Sequence, residues 1–144
     1  MLSQIFKKEI QTVSFEDIQY AINHPDDFLM INTLSENEQE YVINTTMYYK
    51  HEEEKINALM NQYDFSGKKI IIYGENTNDK SVEKKYHQIT SLGFQKVFIY
   101  SGGLFEWLCL QDIYGKDEFK TTTTMLDILK YKPTRTFGGY LLTR

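Results

Sequence analysis

The polar run Gly74-Glu75-Asn76-Thr77-Asn78-Asp79-Lys80-Ser81 follows an apolar stretch, Ile70 to Tyr73, and precedes a helical pattern. A loop between a strand and a helix N-terminus presents backbone N–H groups upward, an arrangement that holds an anion or a thiolate. Its side chains argue the other way. Glu75 and Asp79 add negative charge where an anion needs positive, so at most weak binding of a small anion is expected. No cysteine lies in this run. Ser81 stands at a helix start but has no base placed beside it by the sequence, and it reads as a cap. The one thiol, Cys109, lies in Trp107-Leu108-Cys109-Leu110, an apolar helix away from the loop. Burial there raises a thiol's pKa, and inert core packing is expected. His24, His51 and His87 are scattered, none at helix spacing from another, so neither a metal site nor a cofactor is expected. Glu52-Glu53-Glu54 and Lys84-Lys85 read as solvated helix faces.

Strands and helices alternate around that loop. An extended opening at Ile10 to Val13 leads to Ser14 with Asp17 three residues on, a capping-box-like start, and Phe15, Ile18, Ala21 and Ile22 share one helical face. His24 before Pro25 ends that helix. Phe28 to Asn32 is a continuous apolar run of strand length. Glu36 to Lys50 reads as mostly irregular, with short β-type stretches at Tyr41 to Ile43 and Met47 to Tyr49. Ile56, Leu59 and Met60 mark a helix over Glu52 to Asn61. Ile70 to Tyr73 is a second buried strand, and a helix opening at Ser81 buries Val82, Tyr86, Ile89 and Leu92 before Gly93. Val97 to Tyr100 is a third strand, and Gly102-Gly103 turns into an apolar helix, Leu104 to Ile113. Such alternation predicts an α/β domain, a doubly wound parallel sheet with helices on both faces, whose ligands would sit beyond the carboxyl ends of the strands.

Composition narrows the class. The 144 residues suit one domain, and 41 % hydrophobic with 15 % aromatic content is too apolar for disorder. Sixteen basic against 20 acidic residues give a net charge of −4, which disfavours nucleic acid. No apolar run approaches the roughly 18 to 20 residues that cross a bilayer, and Met1 to Ile10 lacks a signal-peptide core. A cytoplasmic protein without membrane attachment is expected, and one cysteine fits a reducing compartment.

The strand Ile70 to Tyr73, the polar loop, a helix ending Leu92-Gly93-Phe94, the strand from Lys96-Val97 and then Gly102-Gly103-Leu104-Phe105-Glu106-Trp107 resemble, in order and spacing, the C-terminal half of a rhodanese domain. That family reads strand, cysteine loop, helix with Leu-Gly-Phe, strand and Gly-Gly-x-x-x-Trp. Upstream, Asn32, Leu34 and Glu38 fall where it has Asp-x-Arg and a following glutamate. The resemblance spans about Thr12 to Asp112 and implies a rhodanese-like domain over 1–119 with an extension or arm over 120–144.

Rhodanese chemistry needs a cysteine directly after the central strand, whose thiolate takes sulfur from a donor and carries it as a persulfide. Gly74 stands at that position, and the same loss removes the related Cys-x5-Arg phosphatase and arsenate reductase chemistries. The loop has two registers. Six residues, Gly74 to Asp79, would put Asp79 where many members carry Arg; seven would end it at Lys80. The resemblance therefore implies a catalytically inactive rhodanese-like module that binds or assembles, with a protein partner or self-association. The alternative is a weak sulfurtransferase or a phosphate-handling enzyme using the loop. Trp107 either walls the pocket or packs in the core. In the arm, Met125 to Tyr131 suits one short helical turn. The arm either folds back on its own domain or docks elsewhere, with Phe137, Tyr140 and Leu142 inserting into a partner by strand addition.

Overall fold

Ile70, Ile71, Ile72 and Tyr73 are each at most 1 % exposed, because the strand they form is covered on both faces. A computed structural model describes residues 9–137. In it β1 (Thr12–Val13), β2 (Phe28–Asn32), β3 (Lys69–Tyr73) and β4 (Val97–Tyr100) form one parallel sheet in the order β1-β4-β3-β2. The register sets Ile31 beside Ile72, and Ile72 beside Ile99.

Side chains leave a strand alternately to its two faces, so β3 supplies two cores. Ile71 and Tyr73 join Met30, Tyr100 and the inner faces of α1 (Phe15–Ile22) and α4 (Gly103–Tyr114). Ile70 and Ile72 join Leu29, Ile31 and the inner faces of α2 (Glu52–Asn61) and α3 (Lys80–Ser91). The buried stripes are helical in spacing: Leu104, Trp107, Leu108 and Gln111 on α4, and Val82, Tyr86 and Ile89 on α3. The architecture is the doubly wound sheet with helices on both faces.

Some boundaries differ from expectation. Asp79, not Ser81, caps α3: its carboxylate accepts from the Ser81 N–H at 3.0 Å, and Ser81 Oγ donates to the same oxygen at 2.6 Å. With Asp79 as the cap, the loop has six residues, Gly74 to Asp79. Helix α4 extends one residue further at each end. Between residues 36 and 50 the β-type stretches are absent; two short 3₁₀ turns, Glu36–Glu38 and Tyr49–His51, occupy the region together with single bridges from Thr46 to Met30 and from Ile43 to Thr121. Cys109 is half-buried, outside both cores. Among the described residues no helix is long and apolar enough to cross a membrane.

The chain after α4 folds back. Thr122 N–H donates to the Val42 carbonyl at 2.9 Å, Asn44 N–H to the Lys120 carbonyl at 3.0 Å, and the Thr122 and Thr123 hydroxyls both reach the Glu40 carbonyl. A 3₁₀ turn, Ile128–Tyr131, then lies along α4. Met125, Ile128 and Tyr131 recur every third residue, the spacing that eclipses side chains in such a turn, and all three pack on the α1/α4 core. We refer to residues 119–132 as the strap.

Candidate functional site

Three loops leave the carboxyl ends of β2, β3 and β4 and converge at one edge of the sheet. The central one, 74–79, curls over Gly74, which is buried. Asp79 organises it. One carboxylate oxygen accepts from the Glu75 N–H at 2.9 Å and the other from Ser81. Thr33 Oγ1, from the β2 loop, shares a hydrogen bond with Ser81 Oγ at 2.8 Å. Asn76 Oδ1 accepts from the Asn78 N–H at 2.9 Å, closing a local turn. Thr77, Asn78, Lys80 and Ser81 are exposed. The Glu75 and Ser81 N–H groups, two amides that would face a bound anion, are thus already satisfied by a carboxylate of the same loop.

The space above Gly74 is filled as well. A Cβ on Gly74 would lie 2.3 Å from Asp79 Oδ2, 2.6 Å from Val82 Cγ2 and 2.8 Å from Thr33 Oγ1. Beyond Asp79, the loop is negative. Burial first, then the Asp79 and Glu38 carboxylates, push Glu75 above the usual carboxylate range against the pull of Lys130.

Gly102 and Gly103 serve α4. Gly103 has φ +69°, and a Cβ there would lie 2.9 Å from the Gly74 carbonyl oxygen and the Asn76 amide nitrogen. Only glycine allows that approach. It lets Leu104 N–H donate to the Gly74 carbonyl at 2.9 Å and Phe105 N–H to the Glu75 carbonyl at 2.8 Å, so the first turn of α4 is satisfied by the loop. Trp107 does not wall the site: it is fully buried between Tyr100 and Phe119, with its indole N–H on the Lys120 carbonyl at 3.1 Å.

The β2 loop is held differently. Asn32, buried, exchanges hydrogen bonds with Gln39, at 2.9 Å from Asn32 Nδ2 and 2.8 Å from Gln39 Nε2, and its oxygen also accepts from the Leu34 N–H. Leu34 is buried in the α1/α4 core. Glu38, with a leucine at 34 where the resemblance implies arginine, takes its partners from the strap: Lys130 Nζ at 3.0 Å and the Tyr131 hydroxyl, which donates at 2.8 Å. Burial pushes Glu38 up, but the hydrogen bonds from Lys130 and Tyr131 outweigh it and hold it below the usual range. Burial and the Glu38 bond push the Tyr131 phenol up, keeping it a donor. Asn76 Nδ2 donates to the Tyr131 carbonyl at 2.9 Å, so the strap touches both loops.

Of the other candidates, Cys109 sits with its thiol pushed up by burial, then by Asp112 and Glu106. His24 stacks on Tyr20, His51 packs edge-on to Tyr48, and His87 lies 3.6 Å from Glu83. Among the described residues no group of three or more His, Cys, Asp or Glu is arranged to hold a metal. Phe137 is exposed; Tyr140 and Leu142 lie outside the described residues. Sequence reasoning missed Gln39, Lys130 and Tyr131. The period-three pattern at 125, 128 and 131 was the available signal for the last, while nothing local marks Gln39 as a partner of Asn32.

A doubly wound sheet whose loop crest follows the central strand, with Gly-Gly opening the next helix, defines a rhodanese-like α/β domain. The chain belongs to the rhodanese-like domain family, whose model matches residues 17–109. No curated protein matches it. A single-domain sulfurtransferase of Saccharomyces cerevisiae is similar in fold at 18% identity, TM-score 0.52, over 75% of this chain and 96% of that one. A yeast protein tyrosine phosphatase of the Rhodanese family gives 14% identity and TM-score 0.57, covering 84% and 97%. A protein from Anabaena sp. gives 17% identity and TM-score 0.55, covering 82% and 86%.

Proposed function

We propose that this chain is a non-catalytic rhodanese-like module that works by binding or assembly. The observation that carries the reading is the filled space above Gly74: where a nucleophilic sulfur would project, the Asp79 carboxylate stands 2.3 Å from the Cβ position and engages the Glu75 and Ser81 amides. Sulfur transfer needs a thiolate held by those amides, and phosphoryl transfer through a cysteine needs the same cradle with positive charge. Here the loop contributes carboxylates instead. The folds shared with a sulfurtransferase and a phosphatase leave an enzymatic alternative for assay.

Thiocyanate formation from thiosulfate and cyanide is expected at the buffer rate, as is hydrolysis of an aryl phosphate. Turnover above buffer that vanishes in Cys109→Ser overturns the reading. Gly74→Cys alone is expected to gain no activity, because its side chain meets Asp79, Val82 and Thr33, and the introduced thiol should titrate at or above the ordinary cysteine value. A thiol pKa of about 6 or lower in that variant, measured by iodoacetamide reactivity against pH, contradicts it.

A further inference from the structure

The strap is apolar on both sides. Met125, Ile128 and Tyr131 face its own core, yet Leu126 is 92 % exposed, Leu129 64 % and Phe137 88 %. Exposed leucines on the far side of an element already packed through its near side form an apolar patch of the kind that marks an interaction site. Residues 125–137 hold three basic residues, Lys130, Lys132 and Arg135, against Asp127; Lys130 is taken by Glu38, and by sequence residues 1–119 carry −8 of a chain of net −4. Among the described residues Lys132 forms no ion pair, and Arg135 Nε donates to the Phe137 carbonyl.

The complementary surface lies on the opposite face of the sheet. Between α2 and α3 runs a groove of about 400 Å³ in which Ile56, Ile89 and the half-exposed Leu92 lie among Glu52, Glu53, Asn57, Lys85 and Gln88. Glu53 stands on its rim and Glu54 follows; both are exposed and, among the described residues, neither has an ion-pair partner, whereas Glu52 is already held by Lys85 at 2.6 Å. Ile56, Ile89 and Leu92 beside Glu53 and Glu54 suit Leu126 and Leu129 with Lys132 and Arg135 following them. The strap packs on the α1/α4 core and the groove on the α2/α3 core, so one copy cannot reach its own groove.

We propose that the outer side of the strap, led by Leu126 and Leu129, docks in the α2–α3 groove of a second copy of this chain. The contact is head-to-tail, because strap against strap would set cation against cation, and a repeated head-to-tail contact grows into chains or closes as a ring. Few residues take part, so association is weak, concentration-dependent and salt-sensitive. This names the partner for the assembly reading above and rests on it.

Sedimentation velocity on the full chain at low salt tests it. The weight-average mass should climb with concentration past that of two copies and fall back in high salt. Leu126→Asp/Leu129→Asp changes exposed side chains and should keep the parental melting curve; Glu53→Lys/Glu54→Lys also puts cations in the first turn of α2 and should melt slightly lower while staying folded, and each alone should remain at 17.1 kDa. Mixed in equal amounts, one intact groove and one intact strap should give pairs and nothing larger. A wild-type mass that stays at one copy throughout overturns the proposal, as does association by either variant alone or a mixture that forms no pair. A monomer that also lacks turnover sinks only the self-contact; turnover in the thiocyanate assay sinks the non-catalytic reading.

Discussion

Two carboxylates stand at the same edge of the sheet and are satisfied in opposite ways. Asp79 finds its partners, the Glu75 and Ser81 amides and the Ser81 hydroxyl, within four residues of itself. Glu38 finds its own at Lys130 and Tyr131, more than ninety residues along the chain. The first loop is therefore a local construction that closes once its strand and helix exist. The second is a long-range one, and its order depends on whether the strap is in place.

Removing the strap's anchor should separate them most sharply. Tyr131 is fully buried and its hydroxyl donates to Glu38, so Tyr131→Ala should cost ~3–5 kcal/mol of stability in urea unfolding. Amide exchange should rise across residues 35–44 far more than across 75–81. Equal rises would erase the distinction. Asp79→Ala should do the reverse at smaller cost, about 1–2 kcal/mol, as an N-cap loss does, with faster exchange confined to the 75–81 amides.

The smallest effects are in pH. Glu38 is held below the usual range, so its bonds stabilise the fold at pH above its unfolded value, and that contribution disappears as pH falls through the lowered folded value. Glu38→Gln should thus lose about 1 kcal/mol at pH 7, a figure moderated by the half-exposed Lys130, and nothing in acid. Glu75 is pushed up, so its contribution is full in acid and is lost as pH rises through the raised folded value. Glu75→Gln should be slightly more stable than the parent at pH 7 and equal to it in acid. Parallel chemical-denaturation curves at several pH values check both; shifts of the same sign at pH 7 would refute this account of the loop's electrostatics.

Much of the frame was legible residue by residue. Phe28 to Asn32 and Val97 to Tyr100 are strands with the bounds expected, since a run of apolar residues of that length suits only a strand buried on both faces. Gly93, at φ +109°, ends α3 where a left-handed residue was expected. The capping box from Ser14 to Asp17 is present because both partners lie within one turn. The cap of α3 lies two residues before Ser81: Asp79 and Ser81 are both good caps, and which one engages is decided by the geometry of the loop over Gly74.

Residue type and short-range periodicity are enough for the layered sheet, the missing sulfur at Gly74 and the acidity of the loop. That Asp79 fills the space above Gly74, that Trp107 belongs to the core, that Asn32 pairs with Gln39 and that Glu38 is met by Lys130 and Tyr131 follows from the packed molecule alone. Those contacts join residues that no periodicity links. Their partners are chosen by which loops the packed sheet brings to one edge.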